Sequence, residues 1–293
     1  MLKRIFVYPY GLWLFIFIVA PLLIIVWFSF TATAPDGSTV FTMYHYARFF
    51  SPLFEGQPFF ERIYVAVLMR SIKLAVISTI VCFVLGYPLA YALAKFYSHK
   101  SFLLFLFLVP LWMNFLLRTY AWLTILEQNG VLNAFLGIFG LPATDLLFTD
   151  TAVVIGMVYN FLPFMVLPIY TVLRDMDKSI IEAAQDLGAN KVQVFTRIVF
   201  PLSVPGVISG VTMVFMPGVT TFVISNLLGG GQFILVGNLI EQQFLRVGDW
   251  HFGSAMAVIL MVLILFMMGL IKLFDRQPKD GRVAETAERG ALY

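Results

Sequence analysis

Residues 182–201 read EAAQDLGANKVQVFTRIVFP, a helical pattern followed by a glycine and a second helical pattern. Ser179 and Glu182 lie three residues apart and predict a capping box at the start of the first helix. Gly188 suits the position just past the end of that helix, where a left-handed backbone is common. The apolar face of the first helix consists of Ile180, Ile181, Ala184 and Leu187.

A second helix is predicted over about residues 191–200, with Val192, Phe195 and Val199 on one face. Charged residues are spread through residues 174–197, so this segment is expected to lie in water rather than in lipid. An apolar helix face that is exposed to water needs a partner that covers it. We therefore expect the two helices to dock against another protein.

The composition of the chain indicates that its surroundings are a membrane. Of its 293 residues, 60% are hydrophobic and 12% are charged, whereas a soluble domain has about 25% charged residues. Long apolar runs, rather than short alternating segments, exclude a membrane β-barrel. The sequence predicts an all-α integral membrane protein and argues against a soluble enzyme, a disordered protein and a nucleic-acid binder.

A transmembrane helix needs about 20 mostly apolar residues, and six segments qualify. Arg118 is the one charge within them, and the glycines at 229–231 are expected to break the uncharged stretch that contains the fifth. The predicted spans are residues 5–30, 74–94, 101–126, 151–173, 204–226 and 253–271.

Positive charge orients these spans. With both termini on one side, 13 of the 19 Lys and Arg residues fall on that side and 5 fall on the other. The positive-inside rule therefore predicts cytoplasmic termini. The expected organisation is an N-terminal span (1–30), an outer segment (31–73), a five-helix core (74–275) that includes a cytoplasmic loop (174–200), and a cytoplasmic tail (276–293).

The chain shows no pattern for catalysis or for metal binding. Cys82 is the single cysteine, which excludes an internal disulfide, and it is expected to pack within a span. The sequence contains no G-x-x-x-x-G-K-[ST] text, so ATP is not expected to bind here. His45, His99 and His251 are far apart in sequence and lie outside the predicted spans. We expect no catalytic residue, no metal and no cofactor on this chain.

Residues 182–201 resemble the EAA motif of ABC-importer membrane subunits: Glu-Ala-Ala, three residues, Gly, nine residues, Ile-x-Leu-Pro. The matching residues are Glu182, Ala183, Ala184, Gly188, Ile198 and Pro201. Phe200 replaces the usual Leu and keeps that position apolar. In the family, these helices dock into a cleft of the ATPase subunit, and the glutamate pairs with a basic residue there. The resemblance implies an ATPase-coupling role for these residues and for Asp186.

Further stretches look like those of polyamine-type ABC permeases. They are LGYPLAY at 85–91, VPLWMNFLLRTYAW at 109–122, SNLLGGGQ at 225–232, GN at 237–238 and DWHFG at 249–253. Their order and spacing resemble the permease subunit of spermidine/putrescine importers. The resemblance implies the type I ABC importer permease fold and ATP-driven polyamine uptake by alternating access.

The same resemblance implies partners and a location. The partners are a second, homologous permease subunit and two copies of an ATPase subunit, which would hold ATP and Mg. An extracytoplasmic polyamine-binding protein would dock outside. The location would be the bacterial inner membrane, with lipid around the spans and no nucleic acid bound.

Inserting an arginine such as Arg118 at the bilayer centre costs roughly 2.5–3.5 kcal/mol of free energy. Arg118 should therefore face the bundle, water or a partner, and snorkelling toward the outer end reduces the cost. Two roles stay open: a gate or pathway residue, and a structural residue that pairs with an acid or caps helix carbonyls. A cation importer would not ordinarily place an arginine against its substrate.

Aromatic rings suit an alkyl diammonium, because their faces attract cations and their bodies cover methylenes. Tyr120 and Trp122, near the end of the third span, also fit an interfacial belt. Asn114 and Asn160 are expected to be buried amides that need partners. The candidate pathway residues are Trp112, Asn114, Arg118, Tyr120, Trp122, Tyr159 and Asn160.

No acid lies within a predicted span, so negative charge in a cation path would come largely from the partner permease. The turn Gly229-Gly230-Gly231 resembles the outer region that family members present to the binding protein. The alternative interpretation of these glycines is a flexible turn.

The sequence is also compared with what three other kinds of membrane protein would require: a permease for another solute, a secondary transporter or channel, and an enzyme. Arg118 and the acid-free spans leave open a permease of the same architecture for an oxyanion, an iron complex or a phosphonate. A secondary transporter or channel should carry charged residues in broken helices and would not need the EAA loop. A membrane-embedded enzyme would need paired acids or a metal motif.

Overall fold

A computed structural model describes residues 7–52, 59, 62–95, 100–232 and 234–274. The first part contains α1 (Val7–Leu14), a π-helical segment (Phe15–Val19), α2 (Ala20–Ser29), a hairpin of β1 (Thr31–Thr33) and β2 (Thr39–Phe41), and α3 (Tyr44–Phe50). The middle part contains α4 (Ile63–Lys95), α5 (Lys100–Leu108), a 3-10 turn (Val109–Trp112), α6 (Phe115–Leu126), α7 (Val131–Ile138) and α8 (Asp150–Arg174). The predicted tail, 276–293, lies outside the described residues.

The last part begins with α9 (Lys178–Asp186). It continues with α10 (Lys191–Val194), a π-helical segment (Phe195–Val199), α11 (Phe200–Thr220), α12 (Val223–Leu228), α13 (Val236–Gln242), a π-helical segment (Gln243–Val247) and α14 (Trp250–Phe274).

The predicted all-α membrane fold is confirmed. Within the described residues, five helices are long and apolar enough to cross a membrane. They are Pro9–Ser29, Ile63–Lys95, Asp150–Arg174, Lys191–Thr220 and Trp250–Ile271. The count of six spans and the side of the termini stay predictions.

The third predicted span, 101–126, is not one continuous helix. Met113 and Asn114 have extended backbone angles, ψ 148° and ψ 133°, between the 3-10 turn and α6. The Asn114 side chain accepts hydrogen bonds from the amides of Leu116 (2.8 Å) and Leu117 (3.4 Å), which starts a new helix. Hydropathy did not reveal this break because the interruption is almost entirely apolar.

The second span begins earlier than predicted, at Ile63 instead of residue 74. Arg70 and Lys73, which precede the predicted span, lie within the helix. The guanidinium of Arg70 lies 2.8 Å from a carboxylate oxygen of Asp150, the first residue of α8. The charges therefore belong to the exposed end of a helix of 33 residues.

The fifth span also has different bounds from the predicted 204–226. A helix runs without interruption from Lys191 to Thr220, so the second loop helix is part of the span. The Phe200 amide donates to the Phe195 carbonyl five residues back. Such a π-type turn precedes Pro201, which has no amide to donate. The helix ends at Thr221, whose ψ is 136°, well before the glycines at 229–231.

Helices α4, α8 and α11 pack together and form the core. Gly206 and Gly210 let α11 approach α8: a Cβ at Gly206 would lie 2.9 Å from the Pro168 carbonyl oxygen, and one at Gly210 would lie 3.0 Å from that of Met165. Small residues four apart commonly permit such contacts between membrane helices. Cys82 is fully buried in this core, as expected.

Helix α14 packs against α2 on one side and contacts α11 on another. The N-terminal helix thus joins the bundle mainly through α14. This arrangement leaves the loop 174–200 at one end of the core and the hairpin, α3 and α12–α13 at the other.

Candidate functional site

The coupling loop, residues 174–200, places α9 across the ends of the core helices. The Asp177 side chain accepts from the Ser179 amide at 2.9 Å and caps α9. The predicted cap at Ser179, with Glu182 as its capping-box partner, is therefore wrong: the helix starts at Lys178, two residues earlier than that cap requires. Hydrogen bonds from Ser179 hold the pKa of Asp177 below its usual value, so the cap is charged at neutral pH.

Gly188 ends α9 as predicted. Its φ is +86°, a left-handed conformation. The amide of Gly188 donates to the Gln185 carbonyl (2.9 Å), and the amide of Ala189 donates to the Ala184 carbonyl (3.0 Å). These two bonds make a Schellman motif that satisfies the carbonyls at the helix end.

None of the residues of α9 is buried, and most of them are exposed. Glu182, Ala183 and Asp186 are exposed, whereas Ala184 is half-buried. Leu187 at the tip is 90% exposed and Val192 is 70% exposed. Apolar residues this exposed, at the end of a loop, are typical of a protein-docking surface.

The inward face of the second loop helix differs from the predicted set of Val192, Phe195 and Val199. Val194 and Val199 are buried and Phe195 is half-buried, while Val192 points outward. The π-helical segment shifts the helical register by about one residue, which the 3.6-residue pattern does not capture. Ile198 is half-buried, and Pro201 is the second residue of α11.

The structure brings only some of the predicted pathway residues together. The rings of Trp122 and Tyr159 meet with centroids 5.3 Å apart, and Asn160 follows Tyr159 on α8. Trp112 is 78% exposed and contacts Phe105, so it is separate from that pair. Tyr120 is half exposed.

The two predicted buried amides have different environments. Asn160 is 1% exposed, and its amide group donates to the Gly156 carbonyl at 2.9 Å. Its Oδ1 atom is buried without a partner. Asn114 is exposed, so the prediction that it is buried is wrong; its capping role explains the residue instead.

Arg118 is 7% exposed, and its Nε is buried without a hydrogen-bond partner within the described residues. It precedes Trp122 by four residues, so both lie on the same side of α6. Two structural roles were predicted for Arg118: an ion pair and a cap on helix carbonyls. Neither contact is found for this side chain among those residues.

The glycine turn after α12 is built from residues with positive φ. Gly230 has φ +58° and Gly231 has φ +72°, and Gly229 caps α12. A side chain at Gly230 would collide with the Phe148 ring. Gly230 and Gly231 are exposed. Gly230 is therefore packed closely against Phe148, whereas Gly231 has open space around it.

Sequence reasoning missed a polar network beside this turn. Asn238 Oδ1 accepts from the Ser225 hydroxyl (2.6 Å), and its amide group donates to the side-chain oxygen of Asn226 (2.7 Å). Asn226 in turn donates to Glu241 at 3.5 Å. Gly237-Asn238 was noted as a motif, but its partners come from α12 and are visible only in three dimensions.

It also missed a contact between histidines. The rings of His45 and His251 stack with centroids 5.7 Å apart and planes 9° apart. His45 Nε2 donates to the Thr31 carbonyl (3.1 Å), and Arg48 pairs with Asp249 (2.8 Å) nearby. His251 is the second residue of α14, inside the span rather than outside it. Two hundred residues separate these side chains in sequence, so no local pattern could predict the contact.

Comparisons with known proteins give a consistent result. The family model for binding-protein-dependent transport system inner membrane components matches residues 5–280. The chain is 42% identical over 262 residues to the spermidine/putrescine transport system permease protein PotB of Escherichia coli (strain K12), covering 87% of this chain and 91% of that protein. The corresponding PotB of Haemophilus influenzae is 38% identical over 266 residues and is covered to 88%.

A bacterial ABC transporter that imports the acidic polysaccharide alginate has a chain of similar fold. Its TM-score is 0.78 over 95% of this chain and 96% of that one, at 17% identity. The same transporter with a periplasmic protein bound to an alginate pentasaccharide gives a TM-score of 0.76. The predicted type I ABC importer permease fold is thus confirmed, and the number of spans is left open.

Proposed function

Because the chain belongs to the family of binding-protein-dependent transport system inner membrane components, we propose that it is the permease subunit of an ATP-driven importer of spermidine and putrescine. The substrate assignment rests on the 42% identity to PotB across nearly the whole of both chains. The location is the bacterial inner membrane, which the family and the apolar helices support.

The coupling loop is proposed to dock into an ATPase subunit. Glu182, Ala183, Asp186 and the exposed tip at Leu187 form the surface that would enter the ATPase cleft. ATP and Mg would be held by two ATPase copies, and this chain would bind no cofactor. Closure of the ATPase pair would move α9, and the attached helix from Lys191 to Thr220 would move with it.

The substrate path is proposed to lie beside Trp122, Tyr159 and Asn160. The two rings offer faces to ammonium groups and surfaces to methylenes, and the unpaired Oδ1 of Asn160 is an acceptor. Trp112 and Tyr120, which lie apart from this pair, would contact lipid or the second permease. Carboxylates in the path would come from that second permease.

The outer end is proposed to receive a polyamine-binding protein at the glycine turn 229–231. The exposed Gly230 and Gly231 form a compact surface there. A periplasmic protein bound to the related alginate transporter is in line with such a partner.

A second candidate is a permease of the same fold for an anionic solute such as an oxyanion. Arg118 favours it, because its buried Nε, which has no hydrogen-bond partner among the described residues, is a donor for a negatively charged oxygen. The identity to PotB favours polyamines.

The test is uptake by the complete transporter in proteoliposomes, with labelled spermidine and unlabelled competitors. Putrescine and spermidine should compete, sulfate and phosphate should not, and uptake should require ATP inside. Competition by an oxyanion without competition by putrescine would overturn the polyamine assignment. ATP-independent uptake would overturn the coupling assignment.

A further inference from the structure

A cavity of about 340 Å³ lies between the coupling loop and the ends of α4 and α8. Its walls come from the last turns of these two spans, from α9 and from the first turns of the helix that begins at Lys191. Anything bound here would touch the loop and the membrane-spanning core at the same time.

The lining of this cavity is strongly basic. Among its described residues, Glu182 is the one acid. Four cationic side chains contribute to the lining: Lys95, Arg174, Lys178 and Lys191. Lys178 and Lys191 form no ion pair with any described residue, whereas Arg174 pairs with the adjacent Asp175 at 2.8 Å. The excess of positive charge excludes a polyamine as the occupant and favours an anion.

The floor of the cavity is apolar. Val194 and Val199 are buried, and Leu173 adds further aliphatic surface. A small inorganic anion is bound only through charge and hydrogen bonds, so an apolar floor would not stabilise it. An amphiphile with an anionic head fits both parts of the lining.

The positive-inside rule explains why basic residues occur at this end of the spans. It does not explain why four of them line the same cavity. Arg197 belongs to the same loop and is exposed, yet it does not line the cavity. Basic residues that occupy a pocket between membrane helices are a recurrent way of holding phosphate head groups of lipids.

We propose that this cavity binds the phosphate head group of an anionic phospholipid from the leaflet on the side of the coupling loop. The phosphate lies between Lys178 and Lys191, and the glycerol and first methylenes cover Val194 and Val199. The bound lipid neutralises the basic wall next to Glu182 and ties α9 to the spans. Its effect on transport rests on the proposed function; its binding does not.

Lipid retention on the intact transporter tests the proposal. The complete complex, purified in detergent, is exchanged into nanodiscs of phosphatidylcholine with or without phosphatidylglycerol, and the lipid kept after extraction is counted by native mass spectrometry. Lys178→Gln and Lys191→Gln should each weaken phosphatidylglycerol retention about fivefold, since each basic residue near a membrane surface contributes about that factor. Arg197→Gln is the matched control and should leave retention unchanged.

Co-purification of the ATPase subunit confirms that each variant folds and assembles. Equal retention by all variants would overturn the proposal, and so would equal loss in Arg197→Gln. Displacement of the lipid by millimolar glycerol phosphate or inorganic phosphate would show that a soluble phosphate is the occupant, which also overturns it. If retention behaves as expected while spermidine uptake is absent, only the proposed function fails.

Discussion

Gly188 is a residue whose identity is dictated by one backbone angle. At φ +86° it lies where a residue with a side chain pays roughly 1–2 kcal/mol, and β-branched residues are rarely found there. No neighbouring atom lies within 4 Å of the position a Cβ would take, so the restriction is conformational and not steric. The direction in which the chain leaves α9 depends on this residue.

Gly188→Val should therefore disturb the coupling loop without affecting the spans. We expect ATP-driven uptake to fall about tenfold while the protein still inserts, because strain of 1–2 kcal/mol favours another loop conformation. Gly137→Val is the control, since Gly137 has open space and no positive φ. Normal uptake by Gly188→Val, or an equal fall in both variants, would contradict the assignment.

Glu182 is exposed on α9 and is proposed to meet a basic residue of the ATPase. Glu182→Lys should abolish ATP-driven uptake by placing like charges together, while assembly of the permease in the membrane persists. Asp175→Lys, on the same loop but outside the motif, should have a much smaller effect. Uptake assays in proteoliposomes compare the two, and unaltered uptake by Glu182→Lys would show that the loop is not the coupling element.

Arg118 has a guanidinium Nε that is buried without a hydrogen-bond partner among the described residues. Arg118→Met should raise the melting temperature of the separately purified chain by about 2–4 °C, because removing a buried, unpaired charge stabilises a protein. Arg246→Met, at an exposed position, should leave it unchanged. A lower melting temperature for Arg118→Met would mean that the guanidinium has a stabilising partner within this chain.

At the scale of elements, the contact of α11 with α8 depends on the spacing of Gly206 and Gly210. Gly210→Leu should push the helices apart, because even a Cβ there would come within 2.8 Å of the Met165 sulfur. Loss of folded protein in detergent, measured by size-exclusion chromatography, is the expected outcome. Gly269→Leu, on α14 with nothing nearby, should behave as wild type; a stable Gly210→Leu protein would place the close contact elsewhere.

Composition and hydropathy were sufficient for the five spans found among the described residues, since about 20 apolar residues in a row have few alternatives. They did not predict the break at Asn114 or the extension of α4 to Ile63. Both depend on partners that are not local: an amide that caps a new helix, and Arg70 that pairs with Asp150. The exposed coupling loop was predictable because its pattern is local, whereas the inward-facing register of Val194 was not.

At the scale of the whole molecule, α3 is joined to the start of α14 by the stacked rings of His45 and His251 and by the ion pair of Arg48 with Asp249. Burial lowers the pKa of His45 below its usual value. Burial would raise the pKa of Asp249, but hydrogen bonds from the Phe252 amide and Arg48 lower it overall. Asp249 thus stays ionised down to pH 5.5, while burial opposes protonation of His45 in the folded chain.

The His45 contact should therefore weaken on acidification. A lowered folded-state pKa means that the unfolded chain binds the proton first, so this contribution to stability is complete above about pH 6.5 and is lost as the pH falls below it. Hydrogen exchange of the β1–β2 amides should be faster at pH 5.5 than expected from chemistry alone, and His45→Phe should remove the difference. A dependence that survives in His45→Phe would exclude His45 as its source.

The continuous helix from Lys191 to Thr220 connects the loop at one end of the core directly with the opposite end. Thirty residues of helix are about 45 Å long, so one helix, which includes a π-type segment and the interior prolines Pro205 and Pro217, reaches from the loop to the opposite end of the core. Thr220 lies about 18 Å beyond the close contact at Gly206 and Gly210, so a tilt of about 10° about that contact would move this end by about 3 Å. In the proposed importer, a movement of α9 driven by the ATPase would therefore reach the far end of this helix by tilting alone, with no relay of side-chain rearrangements between the two ends.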